Sequence, residues 1–583
     1  MSAWEGKMAR QMFNQETNRL DYGELLQPRA GYELDFAVGL TYSLDLEALL
    51  GVPVSFGMLD GMDSSQMQNP FYLLEAIRKS SDKIAIFCNA GCIKMPQRIE
   101  PVFALLENSV FEVSLPKKAN FHPKLWVVKY SSKEGESYIK VITLSRNLTF
   151  DRSFDVAVEM SGDIEGPGNE KHRPLAELLQ FVSEFSGKDK ARQIRALAKD
   201  ILKVAKFELD EQFEDYAFHP FGITGYKNTA TPMLSDAYQL LVVSPFLSDT
   251  VVDMITANPK YKTLITRKTS VSPKVLKRFD YVYITKDAIM NDELLGQTDE
   301  SAQSKRDVHA KVYYKYNQNG HYLYLGSLNA SANAFYKNVE FLLELKFKPY
   351  YTSYQTMLKD FLPDDGNPFD LLRSADDYCP ESGEEAIEDL TDIISALKSA
   401  EAVRQQERFI ITVSCGALER PAEIAPLFRS RSFVPIEKDT VLPELLLKEL
   451  SELYVIRRGS ACAVVKIHTD GLPYEDRDNA VYNAIISSKS RFLAFVAFML
   501  ADNYSEASLE QKSFMETLRM RTENTDSIPS GLYERLLRTA VTNPRRLDDI
   551  EKVMSRLDPE IVTDDFRLMV KVFRDAAKRE KRK

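Results

Sequence analysis

One pattern occurs twice in this chain, and the duplication restricts the fold more than any other feature. The first copy reads His122-Pro-Lys124, then, after a strand-like run, Ser145-Arg-Asn147. The second reads His309-Ala-Lys311, then Gly326-Ser327-Leu-Asn329. Histidine and asparagine lie 25 residues apart in one copy and 20 in the other. Each asparagine is soon followed by an acid, three apolar residues and a second acid: Asp155-Val-Ala-Val-Glu159 and Glu340-Phe-Leu-Leu-Glu344. The chain has six histidines, and two occupy matched places, which chance explains poorly.

On a strand, residues two apart share a face. His-x-Lys therefore projects an imidazole and an ammonium side by side, and Ser-x-Asn at the end of the next strand brings an amide to the same rim. Two such halves facing each other gather two imidazoles, two ammoniums and two amides around one pocket. That set suits a phosphodiester. Lys124 and Lys311, with donors from Asn147 and Asn329, stabilise the phosphoryl oxygens. One of His122 and His309 attacks phosphorus while the other protonates the leaving oxygen and then activates water. Asp155 and Glu340 orient the histidines. Ser145 and Ser327 are read as phosphate-binding or as turn residues. No metal-ligand spacing is visible, so neither metal nor other cofactor is expected.

The repeated His-x-Lys…Ser-x-Asn pattern resembles the phospholipase D superfamily over roughly residues 30–350. The second copy is the better match, because Leu144 stands where the first should have glycine. Typical members carry an aspartate five positions after the lysine. Here those positions are Lys129 and Tyr316, an HKN pattern as in tyrosyl-DNA phosphodiesterases and several bacterial nucleases. The resemblance implies His122 as nucleophile and His309 as acid and base; the residues themselves do not order the two. LTYSLDLEALL and LVVSPFL further resemble bacterial phospholipase D-like proteins that accompany helicases or ATPases, many in restriction or anti-phage systems. This implies a nuclease acting on DNA or RNA, with a helicase or ATPase partner docked through the C-terminal region. A phospholipase or phosphatidyl transferase, and a non-catalytic nucleic-acid-binding scaffold, are the alternatives.

Around the motifs, short apolar runs alternate with helical stretches, which indicates an α/β fold. The expected architecture is two phospholipase D-like α/β lobes with pseudo-twofold symmetry plus a C-terminal mixed, mainly helical domain. The boundaries are residues 1–165 for the first lobe, 166–215 for a charged helical connector and 216–350 for the second lobe. A linker over 351–382, rich in Asp, Pro and Gly, then leads to a C-terminal domain over 383–583. A length of 583 residues suits several cores.

The net charge of −10 excludes a uniformly basic coat but leaves room for a local basic groove. Lys262–Arg278 is either such a groove or a solvated face, and the basic end FRDAAKREKRK is read as a solvated tail. Five scattered cysteines, Cys88 and Cys92 among them, give no disulfide framework. The N-terminus lacks the apolar stretch of a signal peptide. The most apolar run, Phe492–Ala501, is half the length of a membrane span and reads as a core helix. The cytoplasm is the expected compartment, with no membrane partner. His172, His219, His321 and His468 have no motif partners and are read as structural.

Overall fold

A computed structural model describes residues 22–57, 70–116, 119–149, 154–227, 229–286, 308–364, 367–379, 389–500, 530–542 and 544–580. The first 21 residues, the last three of the basic tail and residues 380–388 of the expected boundary lie outside them. The chain is mixed α/β and divides into two compact units. The first holds residues 1–49, 83–95 and 109–391, and the second holds 50–82, 96–108 and 392–583.

Two sheets organise the first unit. One is built from β1 (Tyr32–Leu40), β2 (Ile84–Asn89), β3 (Val110–Val113), β4 (Leu125–Ser132), β5 (Ser137–Leu144) and β6 (Ala157–Asp163), in the order β3-β2-β1-β4-β5-β6. Strands β1 to β3 run parallel; β4, β5 and β6 are antiparallel to their neighbours. The second contains β7 (Phe213–Phe221), β8 (Gln239–Val243), β9 (Tyr261–Thr266), β10 (Tyr281–Thr285), β11 (Val312–Asn317), β12 (Gly320–Gly326), β13 (Glu340–Phe347) and β14 (Phe369–Leu371). Its order is β14-β10-β9-β8-β11-β12-β13-β7. The run from β10 to β13 repeats the order and directions of the first sheet, and β14 and β7 are edge additions.

The period of two along each strand sorts side chains between cores. Val38, Phe87, Val127 and Val141 from the first sheet share one apolar cluster with Leu241, Val243, Ile265, Tyr314 and Leu343 from the second. The alternate residues Leu240, Val242, Leu264, Tyr313 and Leu342 fill a separate cluster on the other face of the second sheet. QLLVV in β8 is buried on both faces, and so reads as a continuous apolar run.

The expected connector carries α1 (Arg173–Ser183) and α2 (Lys188–Ile201). Leu175, Leu179 and Val182 of α1, with Ile194, Leu197 and Ile201 of α2, are buried in the cluster that joins the two sheets. Their helical spacing puts them on one face, so the segment packs as part of the core. Residues 351–382, expected as a linker, hold a helix at Tyr354–Phe361 and edge strand β14. Met357, Phe361 and Phe369 bury there, which explains why the segment belongs to the first unit.

In the second unit, strands Leu397–Gln405 and Arg408–Cys415 form a hairpin within a four-stranded sheet. Phe492, Phe495 and Val496 of the apolar run pack with Leu536, Ile550 and Phe566 in a helical core. Among the described residues no helix is long and apolar enough to cross a membrane. Glu107 is wholly buried in this unit, held by the Arg477 guanidinium, the Ser451 hydroxyl (2.8 Å) and the Glu452 N–H (3.0 Å). That set of bonds explains why 96–108 joins a unit expected to begin at 383.

Candidate active site

His122–Lys124 and His309–Lys311 lie in extended segments just ahead of β4 and β11, one step earlier than a position within the strands. The ladders reach them: Leu144 N–H donates to the Lys124 carbonyl at 3.0 Å, and Gly326 N–H to the Lys311 carbonyl at 3.3 Å. The serines and asparagines of both motifs follow directly on β5 and β12. The glycine of the second motif is a steric requirement. Gly326 has φ +151°, and a Cβ there would stand 2.3 Å from the Phe341 carbonyl oxygen.

Two isolated bridges join the copies crosswise. Phe121 pairs with Val339 and Phe154 pairs with Val308. Each residue directly precedes a motif group: His122, Glu340, Asp155 and His309 respectively. The bridges therefore set each histidine beside the acid of the other copy. His122 Nδ1 lies 2.8 Å from Glu340 Oε2, and His309 Nδ1 lies 3.1 Å from Asp155 Oδ1. An Nδ1–H donated to a carboxylate leaves Nε2 with its lone pair. Lys124 Nζ stands 3.1 Å from His122 Nε2 and donates to the His122 carbonyl at 3.0 Å. Lys311 Nζ donates to the His309 carbonyl and lies 3.4 Å from His309 Nδ1. Among the described residues His309 Nε2 has no hydrogen-bond partner.

The serine hydroxyls turn to the carboxylates. Ser145 Oγ donates to Asp155 Oδ1 at 2.9 Å and accepts the Val156 N–H at 2.9 Å. Ser327 Oγ donates to Glu340 Oε2 and accepts the Phe341 N–H at 2.9 Å. Both are fully buried. With the proton given to one partner and a lone pair to another, they fix the acids. Asn147 Oδ1 accepts the Tyr42 N–H at 3.3 Å, which leaves its NH2 as the donating end. Asn329 is buried, and among the described residues its Oδ1 has no hydrogen-bond partner.

Little solvent reaches the charged groups here: Lys124, Lys311 and Glu340 are fully buried. Burial, with the nearby Lys124 and Lys311, pushes His122 down to about 4, against the pull of Glu340. Burial and Lys311 bring His309 to about 4, against the pull of Asp155. Burial and the Lys124 ammonium hold Lys311 well below the usual lysine range. Burial raises the cost of charge on Asp155, but the His309 and Ser145 hydrogen bonds and Lys311 outweigh it and lower its carboxyl. Lys124 acts on both His309 and Lys311, and Lys311 acts on His122. The two triads therefore share one electrostatic neighbourhood.

Three residues outside the two motifs also stand at the site. Asn338 Oδ1 accepts the Asn120 N–H at 3.1 Å while its Nδ2 donates to Glu340 Oε1 at 3.3 Å. The Tyr42 ring lies 5.0 Å from the His122 ring. Arg267, inside the basic stretch Lys262–Arg278, donates to the Val308 carbonyl at 3.0 Å, beside His309. Asn338 stands two residues before a motif acid, the one local signal available. The departures at Lys129 and Tyr316 have other duties: Lys129 pairs with Asp35 (2.9 Å) and Asp200 (3.0 Å), and Tyr316 stacks on His321. His172, His219 and His321 are bound to Tyr216, Glu344 and Tyr314, and His468 lies beside Glu452. Among the described residues no His/Cys/Asp/Glu group has the form of a metal site.

No family model and no curated protein matches the sequence. Among solved structures, the chain is similar to a variant of the yeast tyrosyl-DNA phosphodiesterase, at 12% identity and a TM-score of 0.34, over 59% of this chain and 88% of that one. It is also similar to phosphatidylserine synthase of Haemophilus influenzae Rd KW20, at 10% identity and a TM-score of 0.33, over 63% and 89%. Polyphosphate kinase from Porphyromonas gingivalis gives 12% and 0.28, over 54% and 41%. Likeness at this level decides nothing about the chemistry, which rests on the residues themselves.

Proposed function

We propose that the chain is a metal-independent phosphodiesterase of the phospholipase D type, with pseudo-twofold halves, and that it cuts DNA or RNA through a phosphohistidine. The crosswise pairing of His122 with Glu340 and His309 with Asp155 carries this reading. Each acid holds its imidazole by Nδ1, so each Nε2 serves the substrate. His122 Nε2 attacks phosphorus and the P–O bond to the leaving group breaks, its oxygen taking a proton from His309 Nε2. His309, now neutral, removes a proton from water, which attacks phosphorus and releases His122. Lys124, Lys311 and the asparagine NH2 groups face the phosphoryl oxygens. With both imidazoles near 4, the acid must be charged by the substrate: an entering phosphate anion favours the imidazolium.

The test offers the purified protein labelled single- and double-stranded DNA, RNA and a phospholipid, all in EDTA. Cutting of a nucleic acid without metal is expected. Release of a lipid head group would replace the reading with a phosphatidyl transferase or phospholipase, and inertness with every substrate would replace it with a binding scaffold. The finer reading is a cytoplasmic bacterial anti-phage or restriction nuclease with a helicase or ATPase partner on residues 383–583. It rests on sequence resemblance, and a pull-down with co-expressed genomic neighbours tests it.

A further inference from the structure

The outer side of α2 carries a row that the catalytic scheme does not use. Lys188, Arg192, Arg195 and Lys199 recur at intervals of four, three and four, which places them on one helical face. The opposite face, with Ile194, Leu197 and Ile201, is buried. All four basic residues are exposed and line a groove of about 620 Å³ together with Ser183, Ser186 and Glu184. Arg192 pairs with Asp189 at 2.6 Å, and Arg195 donates to the Ser183 hydroxyl at 3.1 Å. Among the described residues Lys188, Arg195 and Lys199 have no ion-pair partner. Three unneutralised cations on one groove stand out in a chain of net charge −10.

We infer that this groove docks the phosphate backbone of a nucleic-acid strand, apart from the residues that cut it. The inference rests on the nuclease reading above and adds a second anchoring point to it. At about 1.5 Å of rise per residue the row is about 16 Å long. A nucleic-acid strand presents a charge roughly every 3.4 Å, so the row spans several consecutive phosphates. A lipid surface fits less well, because membrane-binding helices expose aromatics beside their cations. Here Phe181 and Phe185 pack against the core.

The experiment measures binding of a fluorescent single-stranded oligonucleotide to the full chain carrying H122A, so that the probe stays intact. The same measurement follows with K188Q/R192Q/R195Q/K199Q added, across a salt series. Each lost phosphate contact removes about 0.7 from the slope of log K against log salt, so a fall of about 2 to 3 and an affinity loss of at least tenfold are expected. An unchanged slope and affinity would overturn the inference. So would an equal loss toward poly-glutamate or phosphatidylserine vesicles, which would assign the groove to an acidic protein or a membrane. With both histidines intact, the four-residue variant is expected to hydrolyse a small chromogenic phosphodiester at the parent rate. If the parent cleaves that compound but binds no oligonucleotide, the groove and the nucleic-acid reading fall while the phosphodiesterase stands. If the parent cleaves nothing, the catalytic reading falls first.

Discussion

His122 and Glu340 stand 218 positions apart in sequence and 2.8 Å apart in space. Glu340 is wholly buried and accepts from Ser327 and Asn338 as well as from the imidazole. Replacing it with Gln keeps the shape but removes the charge that selects the tautomer. Glu340→Gln is expected to lower kcat by about 100-fold or more with little change in KM, read by steady-state kinetics on a small phosphodiester. An unaltered kcat would remove Glu340 from the scheme.

The two histidines are expected to fail differently. His122→Ala and His309→Ala each lose about three orders of magnitude or more in turnover, since each serves both steps. Denaturing a reaction with 32P-labelled substrate at alkaline pH, which spares the P–N bond, should trap a covalent phosphoenzyme in the parent and in His309→Ala, but none in His122→Ala. Label trapped in His122→Ala would reverse the assigned order.

In the proposed scheme Asn338 acts through Glu340 and not on substrate. Asn338→Ala frees one carboxylate oxygen and one backbone N–H, each a buried group costing about 1–3 kcal/mol when left unpaired. A drop in kcat of tenfold or more, with a displaced acid limb of the kcat profile, distinguishes positioning from a general loss of stability. Asn338→Ser, which keeps a donor, should recover part of the rate. A melting shift without any kinetic change would make the residue structural only.

Gly326→Ala forces a Cβ against the Phe341 carbonyl oxygen at 2.3 Å, and backbone does not yield as a flexible side chain does. A loss of about 2 kcal/mol or more is expected by chemical denaturation. Leu144→Ala, at the matching place in the first copy, should cost no more than an ordinary core truncation, about 2–4 kcal/mol, and needs no backbone shift.

Stability should fall on mild acidification. His122 and His309 have folded values of about 4, below the ordinary value near 6.5. Between those limits the unfolded chain binds more protons than the folded one, so stability is full above about pH 6.5 and declines toward pH 4. His172 and His321, also lowered by burial, add to the same slope. The double variant H122N/H309N should show a shallower decline between pH 7 and pH 5 in urea titrations. Parallel declines in parent and variant would contradict neutral imidazoles at the site.

The sequence made the duplicated motifs legible because His-x-Lys and Ser-x-Asn are local and strand period is simple. Which acid serves which histidine was not legible: Asp155 and Glu340 each follow their own asparagine closely, and only the Phe121–Val339 and Phe154–Val308 bridges exchange them. The serines were ambiguous for a similar reason, since a hydroxyl beside a phosphate-binding motif suits a carboxylate equally well. Asn338 was hidden because a single amide has no pattern. The charged face of α1 and α2 suggested a connector, although their apolar face is buried with the sheets. The extent of the second unit is hidden in the sequence, because the buried Glu107–Arg477 pair ties together residues 370 positions apart.

The exchange of acids between the copies has a consequence for inheritance. Neither copy holds a working imidazole–carboxylate couple of its own, so a change in one is felt by the chemistry of the other. The copies cannot diverge independently, and a chimera that took one half from a distant relative would have to import the matching acid as well.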